Sequence, residues 1–291
     1  MKITPFAFPV VIFFLALTAQ GKNKLFTRGA LLVPQINRLN GPQTENTKLN
    51  YYGGPIISQV KVVPVVWSSR VSSEIQNSVN DFYSTYVVSK HMDWLSEYNT
   101  DIKAIDGRQG TNQKLVRGQS VPKILIQPQQ SSTSVTDADI QNEIEKQVDS
   151  GILPKPDNNT VYMIHFPVDV QITIEGMTSC FSFGGYHNGV KNKKYGDLLY
   201  AVLPECSYLL DATATLDSAT FVASHELVEA ITDAFPTAGS SPAFPQAWND
   251  SGGNEIADLC LNETARLVGR QRDYSISLEW SNSRNKCYDG E

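Results

Sequence analysis

Four cysteines, all in the C-terminal half of the 291-residue chain, constrain the fold more than any other sequence feature. An even number of cysteines in a chain that also carries an export signal predicts two disulfides. Three connectivities are possible, and we favour Cys180–Cys206 and Cys260–Cys287 because each closes a loop of moderate length. A cysteine-based metal site is not expected, since no Cys-x-x-Cys pair occurs.

The N-terminus predicts secretion. Lys2 precedes an almost unbroken apolar run over 3–17, and Ala19 and Gly21 supply the small residues that signal peptidase prefers. The run is too short to span a bilayer comfortably, so cleavage of a signal peptide over 1–21 is favoured over an uncleaved anchor. No later segment is long and apolar enough to cross a membrane. We therefore expect an extracellular protein without a membrane partner once the signal is removed.

Composition indicates an ordinary folded protein, with 41% hydrophobic and 19% charged residues. A net charge of −6 without any Lys/Arg cluster argues against a nucleic-acid partner. Residues 22–50 are rich in Asn, Gln, Thr, Gly and Pro and are interpreted as an extended arm or propeptide. The single folded domain is expected over 51–291. Sequons at Asn158, Asn249 and Asn262 are compatible with a glycoprotein.

The hydrophobic periodicity predicts strands and helices in mixed order. The predicted segments are strand 60–67, helix 72–88, strand 120–127, helix 136–150, strands 160–166 and 198–203, and a long helix over 218–233. Pro64 lies inside the first strand and indicates a bulge or an edge position. This order predicts an α/β (α+β) fold with helices packed against a sheet. One domain is favoured over two lobes.

The long helix is predicted to carry chemistry. Asp217 is a suitable N-cap, and no helix breaker follows until Pro236. On a helical wheel the apolar residues occupy one broad side, namely Ala223, Leu227, Val228, Ala230 and Ile231. The opposite side carries His225, Glu226, Glu229 and Asp233. The pattern therefore predicts a core-facing side and a side on which one imidazole and three acids share a space.

This spacing is typical of a metal site. His225 and Glu229 are four residues apart and can reach one ion from successive turns, and Glu226 is placed as a general base for a metal-activated water. The third ligand is expected from Glu255 or Asp258, which share one side of a helical turn next to Cys260. The alternative is an ordinary acidic helix, because a five-residue match is short and helical glutamates are usually solvated.

The residues that carry these features also resemble a known family. The segments 224–233 (SHELVEAITD) and 255–260 (EIADLC) are similar to those of secreted zincin-like peptidases of bacteria and fungi and of the plant EXORDIUM (phosphate-induced protein 1) family. The segments 52–55 and 185–187 fit the same pattern, so that the resemblance spans roughly 51–287. It implies a zincin-like fold, with a metal held by the helix and the later acidic segment.

The resemblance leaves two functions open. The first is a secreted metal-dependent peptidase acting on a peptide or protein, and the second is a non-catalytic extracellular protein that binds a wall or surface partner and uses the metal structurally. Zn²⁺ is the expected metal. Ca²⁺ or Mn²⁺ is the alternative, because one His and two carboxylates suit harder ions better than two His and one carboxylate.

The remaining histidines are interpreted individually. His187 lies in the predicted loop 180–189, and two interpretations are held equally: a catalytic residue or further ligand near the metal, and an exposed loop histidine. His91 and His165 are expected to be structural. A serine hydrolase of the α/β-hydrolase type is not favoured, since no Gly-x-Ser-x-Gly elbow occurs.

Overall fold

The computed structural model describes residues 30–32, 47–128, 132–206, 215–237, 241–261 and 263–290. The predicted signal peptide, most of the predicted arm and the sequon at Asn262 lie outside these residues. Within them, no helix combines the length and the apolar character needed to cross a bilayer.

The described residues form sixteen strands, which are numbered in chain order: β1 Ala30–Leu32, β2 Asn50–Tyr51, β3 Lys61–Val66, β4 Gln119–Ser120, β5 Ile124–Leu125, β6 Ser134–Thr136, β7 Thr160–Phe166, β8 Gln171–Ile174, β9 Met177–Thr178, β10 Phe183–Asn192, β11 Gly196–Pro204, β12 Trp248–Asn249, β13 Thr264–Val268, β14 Asp273–Ser277, β15 Glu279–Ser281 and β16 Lys286–Tyr288. The four helices are α1 Ser73–Tyr86, α2 Lys90–Trp94, α3 Asp137–Asp149 and α4 Thr215–Thr232. Short 3-10 turns occupy Leu95–Tyr98 and Asp258–Cys260.

The main sheet is mixed and follows the order β1-β10-β11-β7-β3-β4, with β5 also beside β3. Strands β11, β7, β3, β4 and β5 run parallel, whereas β10 is antiparallel to β11 and β1 is antiparallel to β10. Pro64 lies where the neighbouring strand breaks: β4 pairs with residues 61–62 and β5 with 65–66. A proline without an N–H fits this interruption, which divides the predicted strand 120–127 into two pieces.

The sheet buries both faces, because side chains alternate along each strand. In β7, Val161 and Met163 face the cluster that includes α1 and α4, whereas Tyr162, Ile164 and Phe166 face the cluster that includes α3. The mixed α/β class is therefore confirmed, with helices on both faces of the sheet.

Local signals explain the helix starts. Ser72 accepts a hydrogen bond from the Ile75 N–H at the start of α1, and Thr136 forms a capping box with Asp139 at the start of α3. The prediction for α4 was wrong at its N-terminus. Because α4 begins at Thr215, Asp217 lies in the first turn, where its carboxylate accepts a hydrogen bond from Arg266 at 3.2 Å.

Both predicted disulfides are confirmed. The Cα atoms of Cys180 and Cys206 are 5.3 Å apart, and those of Cys260 and Cys287 are 5.7 Å apart. The first disulfide lies just before β10 and just after β11. The second connects the turn that ends at Cys260 to β16.

The C-terminal hairpin formed by β13 and β14 covers the side of α4 that faces away from the sheet. The Ser277 N–H donates to the Ser224 hydroxyl at 2.9 Å, and the Thr220 hydroxyl donates to the Ser275 carbonyl at 2.8 Å. Helix α4 therefore lies between the sheet and this hairpin, and every residue from 220 to 232 is buried.

Candidate metal centre

The polar side of α4 is buried together with acids and a histidine from other elements. His225, Glu226 and Glu229 are each 0% exposed, as is His187 of β10, and Glu255 is 2% exposed. Burial of a carboxylate is costly unless a positive charge or hydrogen bonds compensate it. The centre brings four carboxylates close together: those of Glu226, Glu229 and Glu255, and that of Asp258, whose side chain is 12% exposed.

Glu229 occupies the middle of the centre. Its Oε1 lies 3.2 Å from His225 Nε2 and also accepts a hydrogen bond from the Asp258 N–H at 3.1 Å. Its Oε2 lies 3.9 Å from His187 Nδ1. The two oxygens of one carboxylate therefore face two different imidazoles.

The acidic turn after α4 supplies one carboxylate to each imidazole. Asp258 Oδ1 is 3.7 Å from His225 Nε2, and Glu255 Oε1 is 3.5 Å from His187 Nε2. The Asp258 side chain also accepts the Glu255 N–H at 3.2 Å, which fixes the turn. Two ligand groups result, His225/Glu229/Asp258 and His187/Glu229/Glu255, and in each the ligand atoms lie within 4.8 Å of one another.

The prediction of a loop around His187 was wrong, and the structure favours the interpretation that placed this histidine near the other candidate ligands. The segment 183–192 forms strand β10 rather than an exposed loop, and its pairing with β11 turns His187 toward α4. The alternating side chains of Tyr186 and Asn188 contact the opposite side, where the Tyr186 hydroxyl donates to Asp137 at 2.7 Å. His187 is therefore the residue of this strand that reaches the centre.

Backbone contacts orient the His187 ring. Its Nε2 lies 3.1 Å from the Asp233 carbonyl oxygen, so we assign the ring proton to Nε2. Nδ1 then carries the lone pair and faces Glu226 Oε2 at 3.6 Å. Metal-binding histidines commonly donate their second N–H to a carbonyl in this way.

Asp233, the last polar residue of the predicted helix face, has a different position. Its carboxylate accepts hydrogen bonds from the Ala247 N–H at 3.0 Å and the Asn249 amide at 2.7 Å. Burial raises the pKa of Asp233 to about 7, and these hydrogen bonds oppose the rise. Because the Asn249 side chain is itself buried and occupied, the sequon at this position is not accessible to a glycan in the folded protein.

The electrostatics of the centre are strongly perturbed. Burial lowers the pKa of His187 to about 3, so this imidazole is neutral. Burial raises the pKa of Glu229 to about 7 and that of Glu255 well above its usual range, and the neighbouring acids add to the latter rise. Although burial alone would lower it, the pKa of His225 is raised because Glu229 and Asp258 favour its protonated form.

Several buried polar atoms of the centre have no hydrogen-bond partner among the described residues. They are His187 Nδ1, both ring nitrogens of His225, Glu229 Oε2, Glu255 Oε1 and Asp258 Oδ1. Buried polar atoms are almost always paired, and these are the nitrogen and oxygen donors that divalent cations prefer. The residues therefore fit a bound cation.

Glu226 lies next to Gly185 of β10. A Cβ atom added to Gly185 of β10 would lie 2.9 Å from Glu226 Oε1 and 2.6 Å from a Val222 methyl group. Only glycine lets the strand approach α4 so closely. On the side away from β11, Gly185 pairs with Leu31 of β1, which belongs to the predicted arm.

The other two histidines lie outside the centre. His165 Nε2 is 2.9 Å from the Tyr83 hydroxyl, and burial lowers the pKa of His165 to about 3. His91 forms a buried ion pair with Glu279. Both contacts account for these residues as parts of the core.

Comparisons with protein-family models, with curated proteins and with solved structures found no match for this chain.

Proposed function

We propose that this protein is a secreted, metal-dependent peptidase with a zincin-like fold, similar to the peptidase and EXORDIUM groups that its motifs resemble. The observation that carries the proposal is the set of buried imidazole and carboxylate atoms without hydrogen-bond partners around Glu229. Two disulfides support the secreted location, because such bonds persist in oxidising compartments.

The proposed site uses both acids of the later turn, one as a ligand and one as a neighbouring charge. His225, Glu229 and Asp258 would hold the cation, and the neighbouring carboxylate of Glu255 adds negative charge. Zn²⁺ is the first candidate because imidazole nitrogen is in the set, and the carboxylate-rich surroundings keep Mn²⁺ and Ca²⁺ as alternatives. When bound, the cation would supply Lewis-acid polarisation of a carbonyl and of a water molecule.

Glu226 is the proposed general base. Its carboxylate would accept a proton from water as the water oxygen attacks the peptide carbonyl carbon. It would then return the proton to the leaving amine nitrogen as the C–N bond breaks. The Oε2 atom of Glu226 lies 3.6 Å from Nδ1 of His187, so the proposed base borders the buried centre.

The edge of β10 that β1 covers is the proposed docking site for an extended peptide. Residues 30–32 now pair with this edge at Phe183, Gly185 and Tyr186 in antiparallel register. A substrate strand that replaced them would pass next to Gly185, and Glu226 lies directly behind Gly185. This geometry supports a propeptide function for the arm.

One observation favours the non-catalytic alternative. The centre is almost completely buried, and the cavity of about 570 Å³ that is bordered by Gly189, Phe235 and Pro245 is lined by none of its described residues. In an extracellular binding protein, a buried ion would stabilise the α4 region without contacting a substrate.

Peptide cleavage by the secreted chain tests the proposal. We expect cleavage that is lost on zinc removal, restored by added zinc, and lowered at least a hundredfold by Glu226→Gln, in line with the contribution of general bases. Glu143→Gln, which removes another buried carboxylate far along the chain, is the control and should leave the rate unchanged. Bound metal without cleavage would favour the binding protein.

A further inference from the structure

We propose that Glu229 bridges two cations, one held by His225 and Asp258 and the other by His187 and Glu255. The inference rests on the proposed cation site but not on peptide cleavage. It adds a second ion that the local His-Glu-x-x-Glu motif does not imply.

The first argument is the orientation of Glu229. Its Oε1 faces His225 Nε2 at 3.2 Å and its Oε2 faces His187 Nδ1 at 3.9 Å. A cation bound by one oxygen of Glu229 would lie next to only one of the two imidazoles. If each oxygen binds its own cation, both imidazoles have a cation beside them. Glu229 is the only residue that both candidate ligand groups share.

The second argument comes from distances. Charge-assisted N–H···O bonds are about 2.7–2.9 Å long, and two ligands of a tetrahedral zinc ion lie about 3.4 Å apart when each is about 2.0–2.1 Å from the metal. The nitrogen–oxygen separations on the His225 side are 3.2 and 3.7 Å. On the His187 side, Nδ1 lies 3.6 Å from Glu226 Oε2 and 3.9 Å from Glu229 Oε2, and Glu255 belongs to the same group of candidate ligands. On both sides the spacing fits ligands around an ion better than direct hydrogen bonds.

The third argument concerns the His187 side alone, and it separates this site from an acidic cluster without a ligand. With the proton on Nε2 shared with the Asp233 carbonyl, Nδ1 points its lone pair at the carboxylates of Glu226 and Glu229. An acceptor aimed at acceptors in a fully buried position is unfavourable unless a cation lies between them. Neither Nδ1 nor Glu255 Oε1 has a hydrogen-bond partner among the described residues.

The fourth argument is charge. Glu226, Glu229, Glu255 and Asp258 carry four formal negative charges when ionised, and one divalent cation would neutralise only half of them. Two divalent cations balance all four and leave both imidazoles neutral. This is the protonation state that metal ligation requires.

Metal content measures the inference directly. The purified secreted chain is equilibrated with buffered Zn²⁺, and bound zinc per chain is determined by mass spectrometry. We expect two ions in the wild type, one in His187→Ala, one in His225→Ala, and fewer than one in Glu229→Gln. His165→Gln, which changes a buried histidine outside the centre, is the matched control and should keep two.

A second measurement does not depend on the folding of the variants. The wild type loaded with Mn²⁺ is examined by electron paramagnetic resonance, where two ions bridged by a carboxylate give an exchange-coupled signal. One zinc per chain with an uncoupled manganese signal would overturn the second ion while leaving the proposed peptidase intact. Absence of bound metal would overturn both proposals.

Discussion

The increase in the free energy of unfolding caused by zinc should depend on the number of ions bound. A ligand that binds only the folded state adds RT ln(1 + [L]/Kd) to the free energy of unfolding. Each ion therefore contributes about 2.7 kcal/mol at a free concentration 100 times its Kd, and two contribute about 5.4 kcal/mol. For a chain of this length that corresponds to a rise in Tm of about 10–20 °C.

The dependence on zinc concentration is more informative than the total. Above both dissociation constants, each tenfold increase in free zinc should raise the free energy of unfolding by about 1.4 kcal/mol for one ion and about 2.7 kcal/mol for two. Urea unfolding in zinc buffers, followed by fluorescence of the buried residues Trp67, Trp248 and Trp280 with disulfides intact, measures this slope.

Two variants make the measurement specific. Glu229→Gln should reduce the slope close to zero because both ligand groups lose their shared carboxylate. Glu143→Gln removes a buried carboxylate that accepts a hydrogen bond from Gln147, and it should keep the wild-type slope. A wild-type slope near 1.4 kcal/mol would refute the bridge, and no slope would refute the cation site.

Four further outcomes are expected. Burial lowers the pKa of His165 from 6.5 to about 3, so below pH 6.5 the unfolded chain binds a proton that the folded chain does not. The stability that the neutral His165 provides is therefore fully present above pH 6.5 and is lost as the pH falls from 6.5 toward 3. The wild type should therefore lose about 2 kcal/mol more than His165→Gln between pH 8 and pH 5 in urea titrations. Replacing either disulfide by a Cys→Ser pair should lower the free energy of unfolding by about 3.5 kcal/mol through loop entropy, since the paired cysteines are 26 and 27 residues apart. Only loss of Cys260–Cys287 should also weaken zinc binding in a calorimetric titration. Gly185→Ala should destabilise the fold by about 1–3 kcal/mol and lower peptide cleavage. Gly252→Ala should do neither, because the atom nearest to its added Cβ is 3.3 Å away. Deleting residues 22–46 removes the strand that pairs with β10 and should raise the cleavage rate; an unchanged or lower rate would contradict the propeptide function.

Local sequence was sufficient where short-range geometry decides. The spacing of four between His225 and Glu229 places both side chains on one side of α4. The predicted shared side for Glu255 and Asp258 was wrong, because Glu255 precedes the 3-10 turn and faces His187, whereas Asp258 faces His225. The helix predicted over 136–150 begins as expected, with Thr136 as its N-cap. The structure brings the predicted metal ligands together, and their function as ligands stays a proposal.

Long-range pairing decided what the sequence could not reveal. Residues 183–192 contain glycines and asparagines without a clear alternation of apolar residues, so the segment was interpreted as a loop. The β11 ladder makes it a strand and directs His187 into the core. For the same reason the hairpin of β13 and β14 was missed, and with it the burial of Thr220 and Ser224 on α4. Boundary errors such as that at Asp217 are smaller, because helix ends depend on the flanking residues.

The sequence pairs Glu229 with His225 alone, whereas in the fold Glu229 also faces His187. In the motif His-Glu-x-x-His, the second histidine offers one ring nitrogen to one ion. A carboxylate at the same position has two oxygens about 2.2 Å apart that can face opposite directions. In this fold those directions lead to His225 and to His187. The glutamate that departs from the His-Glu-x-x-His pattern therefore lets one side chain contact both candidate ligand groups, with one oxygen for each.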